Sequence, residues 1–173
     1  MNYQEFFSLA SKKGIENIQI TEETVKENSI YLIDKKLHDY TDSEKIVYEI
    51  KAEVKGKTEK LLTGYLDESI IDLLLEKINE TDSKYEDEYL SKTINNEINE
   101  KESPDITEEI TKLYALDSLK EEYDQTKSLE IFYCDEYNKT RIINNNGVDI
   151  ATTSHNYNLY VEAVAEKEFT RAT

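Results

Sequence analysis

The sequence is poor in the residues on which small catalytic and ligand-binding motifs depend. Its 173 residues include four glycines, one proline, one cysteine, two histidines and no tryptophan. Four glycines leave little room for a phosphate-binding loop, because such loops need glycine where the backbone approaches the ligand. The single cysteine, Cys134, excludes an internal disulfide and a CxxC pair, and it favours a reducing compartment.

The two histidines do not form a recognisable zinc motif. Neither His38 nor His155 precedes a glutamate, and neither has a second histidine four or five residues away, so the helical zinc site of metalloproteases is absent. There is no GxSxG segment either. We interpret both histidines as surface or strand-end residues and Cys134 as a small buried side chain. The sequence therefore assigns no catalytic residue and no metal ligand.

Long apolar runs and positive charge are also scarce. No stretch approaches the roughly 18 apolar residues of a membrane span, and residues 1–14 lack the pattern of a signal peptide. With 38 acidic against 21 basic residues, the net charge is −17, which disfavours contact with nucleic acid phosphates and anionic membranes. We expect a soluble, cytoplasmic protein that binds no nucleic acid and no membrane.

Residues 1–80 predict a unit in the order helix, about four strands, helix. A short helix covers residues 3–13, and two strands joined near Glu27-Asn28 follow. Residues 44–54 predict an antiparallel strand with two different faces. The buried face has Ile46, Tyr48, Ile50, Ala52 and Val54, and the solvated face has Lys45, Glu49, Lys51 and Glu53. Gly56 then turns the chain into a return strand, and Asp67 caps a second helix.

The second half predicts another helix followed by strands. Residues 81–104 form an acidic linker, and residues 105–173 begin with a helix that runs to about residue 125. Three strands follow, over residues 128–138, 139–145 and 155–169, with an Asn-Gly turn at Gly147. We therefore predict one domain over residues 1–173 of the α+β class, a mixed α/β fold in which antiparallel β-meanders each pack with helices.

The last predicted strand offers the best candidate surface for binding a partner. Tyr157, Leu159 and Val161 share one face of it, and an edge strand can accept a peptide strand through backbone hydrogen bonds. Tyrosine is common at such interfaces, because its ring is apolar and its hydroxyl is polar. We predict that these three residues contact a peptide or a protein partner, and that Gly56 and Gly147 serve as turn residues only.

Three segments resemble, in order, the N-terminal region of the TldD/PmbA family, whose members were once named modulators of DNA gyrase. They are residues 15–44, 50–78 and 140–168. Gly56 matches the turn glycine of the family, residues 66–70 match the start of its helix, and the third segment matches at Asn144, Gly147 and residues 161–165. The resemblance favours the PmbA-like, or TldE-like, branch, although two strands of this sequence lack the glycines of the family pattern.

The resemblance implies a domain of a longer candidate metallopeptidase. In this family a zinc-bearing TldD-type subunit, with a His-Glu-x-x-x-His motif in a C-terminal domain, pairs with a zinc-free subunit to degrade unfolded peptides. This sequence has no such motif, so zinc is expected only in a TldD-type partner or in a missing C-terminal domain. We expect a non-catalytic N-terminal domain, or a truncated relative, that contributes to a homo- or hetero-dimer and to the walls of a peptide chamber.

Two other functions remain open at this point. The chain can act as a stand-alone module that binds a protein or a peptide without chemistry. It can also act as an acidic inhibitor of a DNA enzyme such as gyrase, an alternative suggested only by its net charge and by the former name of the family.

Overall fold

A computed structural model describes residues 1–80, 98–99, 106–123 and 125–165. The helices in these ranges are α1 (Tyr3–Lys12), α2 (Glu68–Glu80) and α3 (Ile106–Ser118), and the short 3₁₀ helix Leu119–Glu122 follows α3. The strands are β1 (Asn17–Ile33), β2 (Lys36–Val54), β3 (Lys57–Thr63), β4 (Ile98–Asn99), β5 (Thr126–Asn144) and β6 (Asp149–Ala165).

The strands form one sheet in the order β3-β2-β1-β5-β6-β4. β2 and β3 pair in antiparallel register, with Val54 opposite Lys57, whereas the two residues of β4 run parallel to β6. Five antiparallel strands combined with helices confirm the predicted α+β class. Among the described residues, no helix is both long and apolar enough to cross a bilayer.

The chain divides into two compact units that draw on the same long strands. The first unit contains Met1–Val25, Lys45–Lys101 and Asn138–Ser154, and the second contains Lys26–Glu44, Glu102–Tyr137 and His155–Thr173. Each unit has a hydrophobic core of its own, with 14 buried residues in the first and six in the second among the residues that the structure describes. The core of the second unit is the smaller of the two, and the candidate site described below lies beside it.

The first unit buries one face of α1 and one face of α2 against its strands. α1 starts with a capping box, in which the Asn2 side chain accepts a hydrogen bond from the Glu5 amide at 2.9 Å and the Glu5 carboxylate accepts one from the Asn2 amide. At α2 the carboxylate of Asp67 accepts hydrogen bonds from the amides of Ser69 and Ile70, which confirms the predicted cap. The buried side chains include Phe6, Phe7, Ala10, Ile18, Ile20, Ile50, Ile70, Ile71, Leu74 and Ile78.

The second unit packs α3 on the sheet. Leu113 of α3 is buried against residues of β1 and β5, and Ile110 and Leu116 pack at the margin of this core. Because side chains alternate along a strand, the buried residues all lie on the sheet face that α3 covers. The strand residues of this core are Ile30, Leu32, Leu129, Ile131 and Tyr133.

Several predicted boundaries are wrong. Glu27-Asn28 and residues 138–139 do not end strands but continue β1 and β5, because neighbouring strands satisfy the backbone there whatever the side chains are. The last strand starts at Asp149 instead of residue 155, and α3 ends at Ser118 instead of near residue 125. Lys51, which the alternation places in water, is only 8% exposed.

Parts of these predictions lie outside the described residues. They are the acidic linker of residues 81–104, apart from residues 98–99, the predicted cap at Asp105, and residues 166–169 of the last predicted strand.

The tight turns differ in how they reach positive φ. Lys55 (φ 50°) and Gly56 (φ 75°) form the two-residue β2–β3 turn, with both central residues in the conformation that such hairpins favour. In the β5–β6 turn Gly147 has φ 91°, and the Asn144 side chain accepts hydrogen bonds from the amides of Asn146 and Val148. Asn144 therefore closes this turn, because its side chain takes the place of a backbone acceptor.

The β1–β2 turn uses two residues for which positive φ is costly. Asp34 and Lys35 have φ of 48° and 61°, and neither is glycine. Contacts within the second unit hold this turn in place. The Asp34 amide donates to the Leu129 carbonyl, and the Asp34 carboxylate accepts from the Leu129 amide and from Lys120. Mainly because of Lys120, the pKa of Asp34 lies below its usual range.

Asp117 of α3 is a buried carboxylate close to this turn. It is 0% exposed, and neither oxygen makes a hydrogen bond of normal geometry among the described residues. Burial raises its pKa, although the backbone amide of Lys35 partly opposes that effect. The carboxyl group of Asp117 therefore binds its proton more tightly in the folded protein than in the unfolded chain. The contribution of Asp117 to stability must fall as the pH rises from the usual carboxyl range through its folded pKa.

We predict that Asp117→Asn stabilises the protein at neutral pH. The amide keeps the shape of the side chain but removes a buried charge, so the free energy of unfolding should rise by about 1 kcal/mol. Urea unfolding at pH 4 and pH 7 measures the effect, which should be larger at pH 7. The exposed Asp42→Asn removes the same charge and should change little. Destabilisation of Asp117→Asn at pH 7 would contradict the assignment.

Candidate functional site

Three hydrogen-bonded residues of β5 and β6, Tyr133, Asp135 and His155, lie within the second unit, and we call them the trio. Asp135 is only 2% exposed, and its Oδ1 lies 2.6 Å from Nε2 of His155. Its Oδ2 accepts a hydrogen bond from the Tyr133 hydroxyl at 3.1 Å. Burial raises the pKa of Tyr133, and the hydrogen bond to Asp135 raises it further, so this hydroxyl stays a neutral donor. Both carboxylate oxygens have partners, which offsets the cost of burying the charge.

His155 and Tyr133 help to line a groove of about 340 Å³ between α3 and β6. Residues 109, 112, 113 and 116 lie on one side of α3, because residues three or four apart share a helix face. We call this cavity the apolar groove. It is lined by Glu109, Lys112, Leu113, Leu116, Tyr133, His155, Tyr157 and Leu159. The volume lies at the lower end of the range for ligand pockets.

The rim of the apolar groove on α3 carries three charged side chains. Lys112 Nζ lies 3.1 Å from Glu108 and 2.7 Å from Glu109, and these two contacts raise its pKa, with Glu109 contributing most. One lysine therefore forms ion pairs with two glutamates, so negative charges outnumber positive charges at this rim.

β6 is exposed from His155 onwards. Every residue from His155 to Ala165 is solvent-exposed, including the predicted contact residues Tyr157 (69%), Leu159 (53%) and Val161 (42%). β4 pairs with β6 only at Ala151 and Thr152. Within the described part of the chain, no strand therefore pairs with the outer edge of residues 155–165. Tyr157 and Leu159 line the apolar groove, whereas Val161 lies further along the strand and is not among the lining residues.

The other face of this part of the sheet carries acidic and aromatic side chains. The Tyr31 hydroxyl donates to Glu130 at 2.6 Å, and the Tyr160 hydroxyl donates to Glu162 at 2.8 Å. Each hydrogen bond raises the pKa of its tyrosine, and each carboxylate also acts on the tyrosine of the other pair. These four residues therefore form one cluster, which we call the acidic face. Phe132 lies two residues after Glu130 in β5 and is 40% exposed.

The described residues offer no obvious site for metal or nucleophilic chemistry. Among them, no group of three or more His, Cys, Asp or Glu side chains is placed to hold a metal ion. The His155–Asp135 pair supplies two donors, whereas protein zinc sites use three or four, so the zinc implied by the family does not fit the residues described. Burial raises the pKa of the Cys134 thiol, with Glu27 adding to the effect, which disfavours a reactive thiolate.

Sequence reasoning missed the trio and the helical side of the groove. Its signal was present in β5, where Asp135 interrupts an otherwise apolar alternation of Leu129, Ile131, Tyr133 and Tyr137. A charged residue on the buried face of a strand needs a partner. His155 lies 20 residues from Asp135 along the chain, so the pair depends on how the β5–β6 hairpin is closed.

The fold defines an α+β domain in which helices cover part of a long, mainly antiparallel sheet. A family model described as the PmbA/TldA metallopeptidase central domain matches residues 93–173. Comparison with curated proteins gives no match.

Several solved structures share the fold. They include a candidate modulator of a DNA gyrase from Thermotoga maritima (TM-score 0.72, 22% identity), a candidate modulator of DNA gyrase from Bacteroides thetaiotaomicron (0.65, 17%) and TldE from Thermococcus kodakarensis (0.64, 12%). The alignments cover 95%, 96% and 95% of this chain, but only 40%, 41% and 39% of those proteins. The chain therefore spans about two fifths of the length of these structures.

Together these comparisons confirm the resemblance to the TldD/PmbA family that the three sequence segments predict. The family model describes the part it matches as a central domain. Our assignment of residues 1–173 to one N-terminal domain stays a prediction.

We predict that Asp135→Ala destabilises the protein through the trio. The substitution leaves the buried Tyr133 hydroxyl without its acceptor, and an unsatisfied buried donor costs about 1–3 kcal/mol. Urea unfolding of Asp135→Ala, His155→Ala and the double variant measures the coupling between the two residues. The exposed Asp42→Ala is the control. Strictly additive effects of the two substitutions would show that the pair makes no stabilising contact.

Proposed function

We propose that this chain is a non-catalytic domain of a TldD/PmbA-type protein. Its role is to contribute dimer contacts and a wall of the chamber that holds an unfolded peptide. The observation that carries the proposal is the part of β6 from His155 to Ala165, which is exposed on both faces and has no strand along its outer edge among the described residues. Such an edge presents unpaired backbone donors and acceptors to any extended chain.

The apolar groove gives an incoming peptide more than backbone contacts. An extended peptide that adds to β6 gains its affinity from main-chain hydrogen bonds and its specificity from pockets for alternate side chains. Leu113, Leu116 and Leu159 supply apolar walls for one large side chain beside the strand. Tyr157 has a broad exposed ring at the same place, which suits contact with many different sequences.

The share of the structural relatives that is covered limits the role of this chain. The family model names a metallopeptidase, yet the chain spans about 40% of the solved relatives and its described residues lack a metal cluster. We therefore assign the hydrolytic chemistry to zinc held by a TldD-type partner or by a further domain. The single cysteine and the net charge of −17 fit a cytoplasmic protein that avoids nucleic acid and anionic membranes.

We predict that Leu159→Asp weakens peptide binding at least tenfold. The change places a charge in the apolar groove, and about 1.4 kcal/mol of lost binding energy corresponds to a factor of ten. The probe is a fluorescein-labelled polypeptide kept unfolded by reduction and alkylation, and the readout is fluorescence anisotropy. Leu62→Asp is the matched control, because Leu62 is a more exposed leucine (67%) on β3 in the other unit. Equal effects of the two variants, or no binding by the unchanged protein, would refute the proposal.

We also predict that the chain forms a stable complex with a full-length TldD-type subunit. Size-exclusion chromatography with light scattering on the mixture should show a species heavier than either component. Val164→Asp should weaken the complex, because Val164 is an exposed apolar residue on the open part of β6 (48%). Peptide binding without any complex would favour the stand-alone binding module instead.

A further inference from the structure

We propose that the edge of β6 selects peptides in which apolar and basic residues alternate. This inference rests on the proposed peptide-binding function and specifies the class of peptide. It follows from two surfaces of the second unit, the apolar groove and the acidic face, which lie on opposite sides of the same strand.

The geometry of strand addition determines which surface each peptide residue meets. A strand that pairs with β6 continues the sheet, so its side chains point alternately to the two sheet faces. One set emerges on the side of α3, where Leu113 and Leu159 line the apolar groove. The other set emerges on the side of Glu130 and Glu162. A peptide that satisfies both surfaces must therefore change its chemistry at every residue.

The acidic face is suited to lysine and arginine. Its carboxylates accept hydrogen bonds from Tyr31 and Tyr160, and these hydrogen bonds raise the pKa of both hydroxyls. Neither tyrosine carries a positive charge, so the negative charge of the two carboxylates is not offset by them. The rings of Tyr160 (57% exposed) and Phe132 (40% exposed) offer a cation additional contacts, because aromatic faces attract positive charge.

The net charge of the surrounding residues also favours a basic peptide. The described residues of the second unit include 14 Asp and Glu side chains against six lysines. At the rim of the apolar groove Lys112 is already shared between Glu108 and Glu109. An acidic peptide is therefore repelled from both sides of the strand, whereas a basic peptide is attracted at a range set by the ionic strength.

Three labelled peptides of identical length can separate the effect of residue order on binding affinity from the effect of composition. The first alternates valine and lysine, the second has the same composition in two blocks, and the third alternates valine and glutamate. Anisotropy titrations at 50 mM salt should show the first binding at least tenfold more tightly than either of the others. Raising the salt should reduce its advantage over the acidic peptide.

The charge preference should depend on Glu162. Glu162→Gln replaces an exposed carboxylate on the acidic face and should reduce the preference for the basic over the acidic peptide several-fold. Glu23→Gln makes the same change at an exposed position in the first unit and should leave the preference intact.

The outcomes distinguish the two proposals. Equal binding of the three peptides, or failure of all three while the unfolded polypeptide still binds, would overturn the selection and leave the proposed function standing. A Glu162→Gln variant with the full preference would also overturn the role given to the acidic face. Failure of every peptide and of the unfolded polypeptide would overturn the proposed function itself.

Discussion

The exposed surface of the second unit depends on how much of the long strand β6 the short helix α3 can cover. α3 has 13 residues and is about 20 Å long at 1.5 Å per residue. The part of β6 from His155 to Ala165 extends about 36 Å at 3.3 Å per residue. The apolar side chains of the helix pack on Leu129, Ile131 and Tyr133, and no described residue covers the strand beyond the apolar groove. The exposed edge is thus a consequence of element length, and the groove forms where coverage ends.

Two buried aspartates in this unit show how the same residue type can have opposite effects. Asp135 has an imidazole on one oxygen and a phenol on the other, so both oxygens have hydrogen-bond partners where strand alternation calls for an apolar residue. Within the part of the chain that the structure describes, Asp117 has no hydrogen bond of normal geometry at either oxygen, and burial raises its pKa. Asp135 therefore positions His155 at the apolar groove, whereas Asp117 is a cost that the fold tolerates beside the β1–β2 turn.

Local signals in the sequence predict much of the fold. The cap at Asp67 and the spacing of apolar residues in α2 depend on residues close in the chain, and these elements form as predicted. The strand before Gly56 also forms, although β2 begins at Lys36 and buries Lys51. The α+β class follows from the same signals. Polar pairs such as Glu27-Asn28 mislead, because a residue with low strand propensity still continues a strand when neighbours on both sides satisfy its backbone.

The candidate site is harder to predict, because it depends on contacts between distant residues. The exposure of Tyr157 and Leu159 follows from alternation in one strand. The groove beside them, however, needs α3 to lie across β5 and β6, and no pattern within a single element specifies that. The link between His155 and Asp135 likewise requires the β5–β6 hairpin to close first. Sequence reasoning thus locates the exposed strand but not the walls of the groove beside it.

The composition of the open strand differs from that of a protected edge strand. Natural edge strands are commonly protected by lysine, proline or a bulge, since an unprotected edge pairs with other chains. Residues 155–165 contain no lysine and no proline, and their only acidic or basic side chain besides His155 is Glu162. Tyr157, Leu159 and Val161 instead give the strand the composition of an interior one. An unprotected edge of this composition is prone to aggregate, so the lack of these protections in residues 155–165 is consistent with the proposed pairing of this edge with a peptide or a partner.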